Sequence, residues 1–79
     1  MSGDVTAFVL ISTHTGQELE ALNAIRKMKR VKEAYITYGD YDIIAKVQGP
    51  DLEAIDNTVK AIRRMREVMD SCTLICTKD

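Results

Sequence analysis

Seventy-nine residues with eleven basic and twelve acidic side chains, a net charge of −1 and a pI near 5.8 describe one small domain without the basic excess of a dedicated nucleic-acid binder, so direct contact with DNA is not expected. A chain this short buries only about 60–65% of the surface that its unfolded form exposes, which leaves its own core marginal and makes oligomerisation the expected remedy. There is no run of about 20 apolar residues and no signal-peptide pattern, so the protein reads as soluble and cytoplasmic, with no membrane partner.

Val5 to Thr13 is nearly continuous in apolar and β-branched residues, which suits a first strand covered on both faces. Thr15-Gly16-Gln17-Glu18 matches a capping box, and a helix is predicted to follow with Leu19, Leu22, Ile25 and Met28 as its apolar stripe, helped by Ala21 and Ala24. Val31 to Tyr38 is read as a second strand, with Ala34, Ile36 and Tyr38 on one side and Glu33, Tyr35 and Thr37 on the other. A hairpin tip returns the chain as a third strand from Asp42 to Gln48. Gly49-Pro50-Asp51 breaks that strand, and a second amphipathic helix carries Leu52, Ile55, Val59 and Ile62. Glu67 to Thr77 is a last strand, its Ser71, Thr73, Ile75 and Thr77 facing opposite to Cys72, Leu74 and Cys76.

The order βαββαβ predicts an α+β, ferredoxin-like fold: an antiparallel four-stranded sheet with two helices on one face. The other face is too apolar to stand bare, because Phe8 and Leu10 alternate with the equally apolar Val9 and Ile11; a face-to-face sheet dimer would cover it. Cys72 and Cys76 lie about 13 Å apart along an extended strand, too far for a bridge or a shared tetrahedral ion, and are expected to be reduced packing residues. The basic groups Arg26-Lys27-Met28-Lys29-Arg30 and Arg63, Arg64, Arg66 fall where the helices end, where cations complement the dipole.

The chemistry is concentrated at Thr37-Tyr38-Gly39-Asp40-Tyr41-Asp42. Gly39-Asp40 supplies a turn, but two tyrosines and two carboxylates within five residues exceed what a turn requires, and the segment reads as a binding loop. A free amino acid would suit it: a carboxylate such as Asp40 or Asp42 can pair the ammonium, while backbone N–H groups and Ser or Thr hydroxyls can receive the carboxylate.

Ala7-Phe8-Val9-Leu10-Ile11 followed by a Gly-led helix, Val31-Lys32-Glu33-Ala34-Tyr35 entering the second strand, Gly39-Asp40-Tyr41-Asp42-Ile43-Ile44-Ala45-Lys46-Val47, and Val68, Ser71, Thr73 and Leu74 together cover almost the whole chain. In this order and spacing they resemble the effector-binding and oligomerisation module, the RAM domain, of the Lrp/AsnC family. The resemblance implies a dimeric α+β barrel assembling into a higher ring, with an amino-acid effector bound between dimers. It places Gly39, Asp40, Tyr41 and Asp42 in a loop wall of that site and Ser71 and Thr73 in a hydroxyl wall. Full-length members carry a helix-turn-helix domain; with only Met1 to Asp4 before the first strand, the expectation here is a stand-alone module that acts on a full-length regulator rather than on DNA.

Three other readings share the topology. A dimeric α+β-barrel enzyme such as a small monooxygenase would have to rest on the lone His14, with no second conspicuous general acid nearby in sequence. No Ser-His-Asp order, HExxH or phosphate-cradling loop accompanies it. A metal chaperone would need a CxxC-type loop where the chain has Ser12-Thr13-His14-Thr15-Gly16. A purely structural module joining another regulator's ring remains compatible with effector binding. The expected protein is thus not an enzyme, with neither cofactor nor metal.

Overall fold

In a computed structural model, which describes residues 4–77, the elements follow as β1 (Val5–Thr13), α1 (Glu18–Arg26), β2 (Val31–Ile36), β3 (Ile43–Gly49), α2 (Leu52–Arg63) and β4 (Val68–Ile75). The strands form one sheet in the order β2-β3-β1-β4, and every neighbouring pair is antiparallel. This is the predicted ferredoxin-like arrangement.

Alternation along the strands decides the faces. Ala7, Val9 and Ile11 on β1 and Ile43, Ala45 and Val47 on β3 are fully buried and join Ala21, Leu22 and Ile25 of α1 and Ile55, Val59 and Ile62 of α2 in one core. Phe8 and Leu10, and Ile44 and Lys46 opposite them, occupy the other face and are only half-buried. Small residues on the covered face let the helices sit close. At Gly49 a Cβ would come within 2.8 Å of the Ala54 Cβ, so glycine there permits the approach of α2. Asp51 starts that helix, its Oδ1 accepting from the Ala54 N–H at 2.9 Å.

Several local expectations are corrected. The Thr15–Glu18 capping box does not form: Gly16 has φ +87, which no helix admits, so the first turn begins three residues beyond Thr15 with Gln17 at the cap and no side-chain capping bond. Leu19 is 67% and Leu52 59% exposed, because both lie on the flanks of their helical stripes; Ala24 points away from the core and is exposed. β2 stops at Ile36, so Tyr38 belongs to the loop, fully exposed. The connection between β2 and β3 is longer than the Gly39–Tyr41 gap expected between the strands and spans Thr37 to Asp42.

Two irregularities shape the sheet margins. Between Ser12 and Thr13 the pairing with β4 slips past Met69, and between Val31 and Glu33 the pairing with β3 slips past Lys32. On the β2 edge the Arg26 guanidinium donates to the Ala34 carbonyl from Nε at 3.0 Å and Nη2 at 2.7 Å, occupying a main-chain acceptor.

Candidate functional site

The loop between β2 and β3 is rigid at its root and open at its tip. At the root, Thr37 N–H donates to the Asp42 carbonyl at 2.8 Å and the Thr37 hydroxyl to the Tyr41 carbonyl at 2.8 Å. Asp42 also reaches the central strand: its N–H donates to the Ile11 carbonyl at 2.8 Å, and its Oδ2 accepts from the Thr13 N–H at 2.8 Å and from the Thr13 hydroxyl at 3.3 Å. A carboxylate accepting a main-chain N–H makes a charge-assisted bond, so Asp42 clamps the loop to the end of β1. Between these ties Gly39 takes φ +118, a conformation that glycine tolerates, and Gly39 and Asp40 are exposed.

Tyr41 is half-buried and turns to the open face of the sheet, beside Cys72 and Asp70. Its phenol is held above the ordinary 10.0, first by the negative charge that the Cys72 thiol acquires on ionising, then by burial, by Asp70, by a hydrogen bond with Cys72 and by Asp40. Tyr35, further along the same face, is also raised, first by its hydrogen bond to Glu33 and then by that carboxylate's charge.

Ser71 and Thr73 stand elsewhere. They register with Ile11 and Val9, which places both on the helix-covered face. The Ser71 hydroxyl oxygen is buried without a hydrogen-bond partner among the described residues. Ser71 and the loop root flank Ile11 from opposite sides, two strand spacings apart or about 10 Å. Thr73 opens instead into a cleft of about 380 Å³ between α2 and β4, lined by Leu52, Ile55, Asp56, Val59, Arg63 and Ile75. Within one subunit the fold therefore unites Gly39, Asp40, Tyr41 and Asp42 but does not bring Thr73 to the loop tip.

Thr13, Cys72 and the Asp56–Arg63 cleft escaped the sequence reading. Thr13 and Asp42 are 29 residues apart, and Arg63 was accounted for by its place at a helix end. His14 is exposed after β1, its main chain bonded to Glu67 and Gln17. Both cysteines are free. Among the described residues no group of three or more His, Cys, Asp or Glu is placed to hold a metal ion, and no helix is long and apolar enough to cross a membrane.

Comparison with known proteins agrees with the fold. The structure of FFRP-DM1 superposes with a TM-score of 0.89 at 40% identity, over 92% of this chain and 99% of that one. Escherichia coli AsnC superposes with a TM-score of 0.87 at 28% identity, over 98% of this chain and 53% of AsnC. In sequence, the HTH-type transcriptional regulator FL11 of Pyrococcus furiosus is 28% identical over 75 residues, which is 95% of this chain and 50% of FL11. The chain thus spans about half the length of the curated regulators it matches. A family model described as the Lrp/AsnC ligand binding domain matches residues 6–79, and the chain belongs to that family.

Proposed function

We propose that this domain is a non-enzymatic sensor that binds an amino acid at the Thr37–Asp42 loop and transmits occupancy through its assembly state to an Lrp/AsnC-type transcriptional regulator in the cytoplasm. The observation that carries the reading is the division of labour within the loop. Asp42, Thr37 and Thr13 fix the root, while Asp40 and the Gly39 backbone stand exposed on a prepositioned tip. Asp42 being engaged as a clamp, Asp40 is the carboxylate for a ligand ammonium, and loop N–H groups serve a ligand carboxylate. A tip exposed on a single subunit needs a second body to close a pocket over it. This agrees with a site between dimers, which assemble through the open faces of their sheets. A ligand that binds one assembly state better than another shifts the population by its differential affinity.

The cleft between α2 and β4 favours a second placement. There Arg63 could take a carboxylate, and Leu52, Ile55, Val59 and Ile75 offer an apolar wall, with Thr73 at the base. The two placements separate experimentally. Light-scattering mass is measured with each of the twenty amino acids, followed by calorimetry on any that bind. Loss of binding of about tenfold or more in Asp40→Ala with Arg63→Ala unchanged supports the loop. The reverse pattern moves the effector to the cleft, and indifference to all twenty overturns the amino-acid assignment.

A further inference from the structure

At the end of the sheet away from the Thr37–Asp42 loop, the turn after α1 and one side of α2 enclose an open cavity of about 480 Å³. Register fixes its distance from the loop: Gly49 pairs with Val5 and Ile43 with Ile11, so a strand length of about 20 Å separates the two places. The cavity lies on the helix-covered side and shares no residue with the cleft between α2 and β4. Arg30 is its most constrained cation. The Arg30 carbonyl accepts from the Gln48 N–H at 3.0 Å, which ties the turn to the end of β3. Its stem runs beside Gly49, with Cδ 3.5 Å and Nε 3.8 Å from where a Cβ on that glycine would stand. The side chain is half-buried, yet among the described residues its guanidinium makes no hydrogen bond or ion pair. A guanidinium with its stem packed and its donors unused loses little freedom on meeting an oxyanion.

The other polar groups of the cavity divide by use. Asp51 Oδ1 and the Thr58 hydroxyl serve α2 itself, bonded to the Ala54 N–H at 2.9 Å and the Ala54 carbonyl at 3.0 Å. Lys29 on the turn, and Glu53 and Asn57 on one side of α2, are exposed and have no side-chain partner among the described residues. Cations therefore stand on one wall and carboxylates on the other, with no ion pair between them. We propose that this cavity binds a small metabolite through a doubly charged oxyanion group, a phosphomonoester or a dicarboxylate. The Arg30 fork takes two of its oxygens and Lys29 adds a second positive charge, which suits a dianion. Asp51 and Glu53 turn the anion toward the Arg30 wall, and Glu53 and Asn57 accept N–H donors from the ligand body. Met28 and Pro50 give that body apolar sides, in a volume ordinary for a small-molecule site.

Calorimetry and backbone-amide NMR shifts on the wild-type chain test the site, with adenosine monophosphate, adenosine and succinate as probes. The expected result is that one of the two anions binds, that adenosine does not, and that the shifted amides lie in residues 28–30 and 49–57. Binding of the monophosphate assigns a phosphomonoester, and binding of succinate a dicarboxylate. Arg30→Gln keeps much of the stem and is expected to weaken binding by about tenfold or more. Lys29→Gln, at an exposed position, is expected to weaken it by about twofold to fivefold. Arg64→Ala, at the far end of α2, is expected to leave it unchanged. Equal weakening by Arg64→Ala would reduce the binding to general charge attraction and overturn the site. Adenosine binding as tightly as its monophosphate, shifts confined to the Thr37–Asp42 loop, or failure of both anions to bind each overturns it as well. The wild-type shift map decides the location even where a variant fails to fold.

Discussion

The two faces of the sheet are both apolar but differ sharply in burial. On the covered side β1 and β3 present Ala7, Val9, Ile11, Ile43, Ala45 and Val47, all fully buried. On the open side the same two strands and their neighbours carry Phe8, Leu10, Ile44, Tyr35 and Leu74, which remain half-buried or exposed. On the covered side these residues pack against the two helices; on the open side the subunit offers them less to pack against. A sheet apolar on both sides leaves its open side only partly covered within the chain. The covered face belongs to folding, and the open face is the one on which two copies are proposed to meet.

The largest expected effect tests that division directly. Ile43→Ala removes a fully buried side chain and is expected to cost about 2–5 kcal/mol, at every protein concentration. Its neighbour Ile44 faces outward, and Ile44→Ala is expected to lower the melting temperature only at concentrations where wild-type dimers persist. Melting curves over a hundredfold range of concentration separate the two, and equal, concentration-independent losses would break the comparison. A smaller effect distinguishes root from tip in the loop. Asp42→Ala deprives the Thr13 N–H and hydroxyl of their acceptor and is expected to cost about 1–2 kcal/mol by urea unfolding. Asp40→Ala, at the exposed tip, is expected to stay within about 0.5 kcal/mol. If Asp42→Ala is equally neutral, the clamp holds nothing.

Wherever one short stretch of chain decides the outcome, the elements could be read from sequence. The nine-residue run of β1, the alternation of β3 and the 3,4,3 spacing of α2 are local patterns with local causes, and βαββαβ leaves few ways to order four strands. What required the fold is of two kinds. At Thr15–Glu18 two local signals conflict: the capping box requires helical backbone at Gly16, while glycine admits the left-handed turn that the chain adopts. The relation of Ser71 and Thr73 to the loop is of the other kind. Alternation correctly separated them from Cys72 and Leu74, but which of these two sets shares a side with the loop depends on where the loop turns after Ile36, and that is set by the Asp42–Thr13 clamp across 29 residues. The loop's exceptional composition was legible in the sequence; its relation to β4 required the fold.

The smallest predicted effect places the loop relative to the open face. Tyr41 meets Cys72 and Asp70 there, and its phenol is raised above 10.0, the Cys72 charge being the largest cause. A phenol whose pKa is higher folded than unfolded keeps its proton longer in the native state. Its contribution to stability is therefore fully present below about pH 10 and is lost as pH rises from 10 through the folded value. In a Tyr35→Phe background, which removes the other raised tyrosine, tyrosinate absorbance is expected to retain a late alkaline phase that Tyr41→Phe abolishes. Cys72→Ser should draw that phase back toward 10, because it removes the thiolate while leaving a hydroxyl of similar size. An unmoved phase in Cys72→Ser would mean that Tyr41 does not lie against β4, and that the loop leans away from the face on which two copies are proposed to meet.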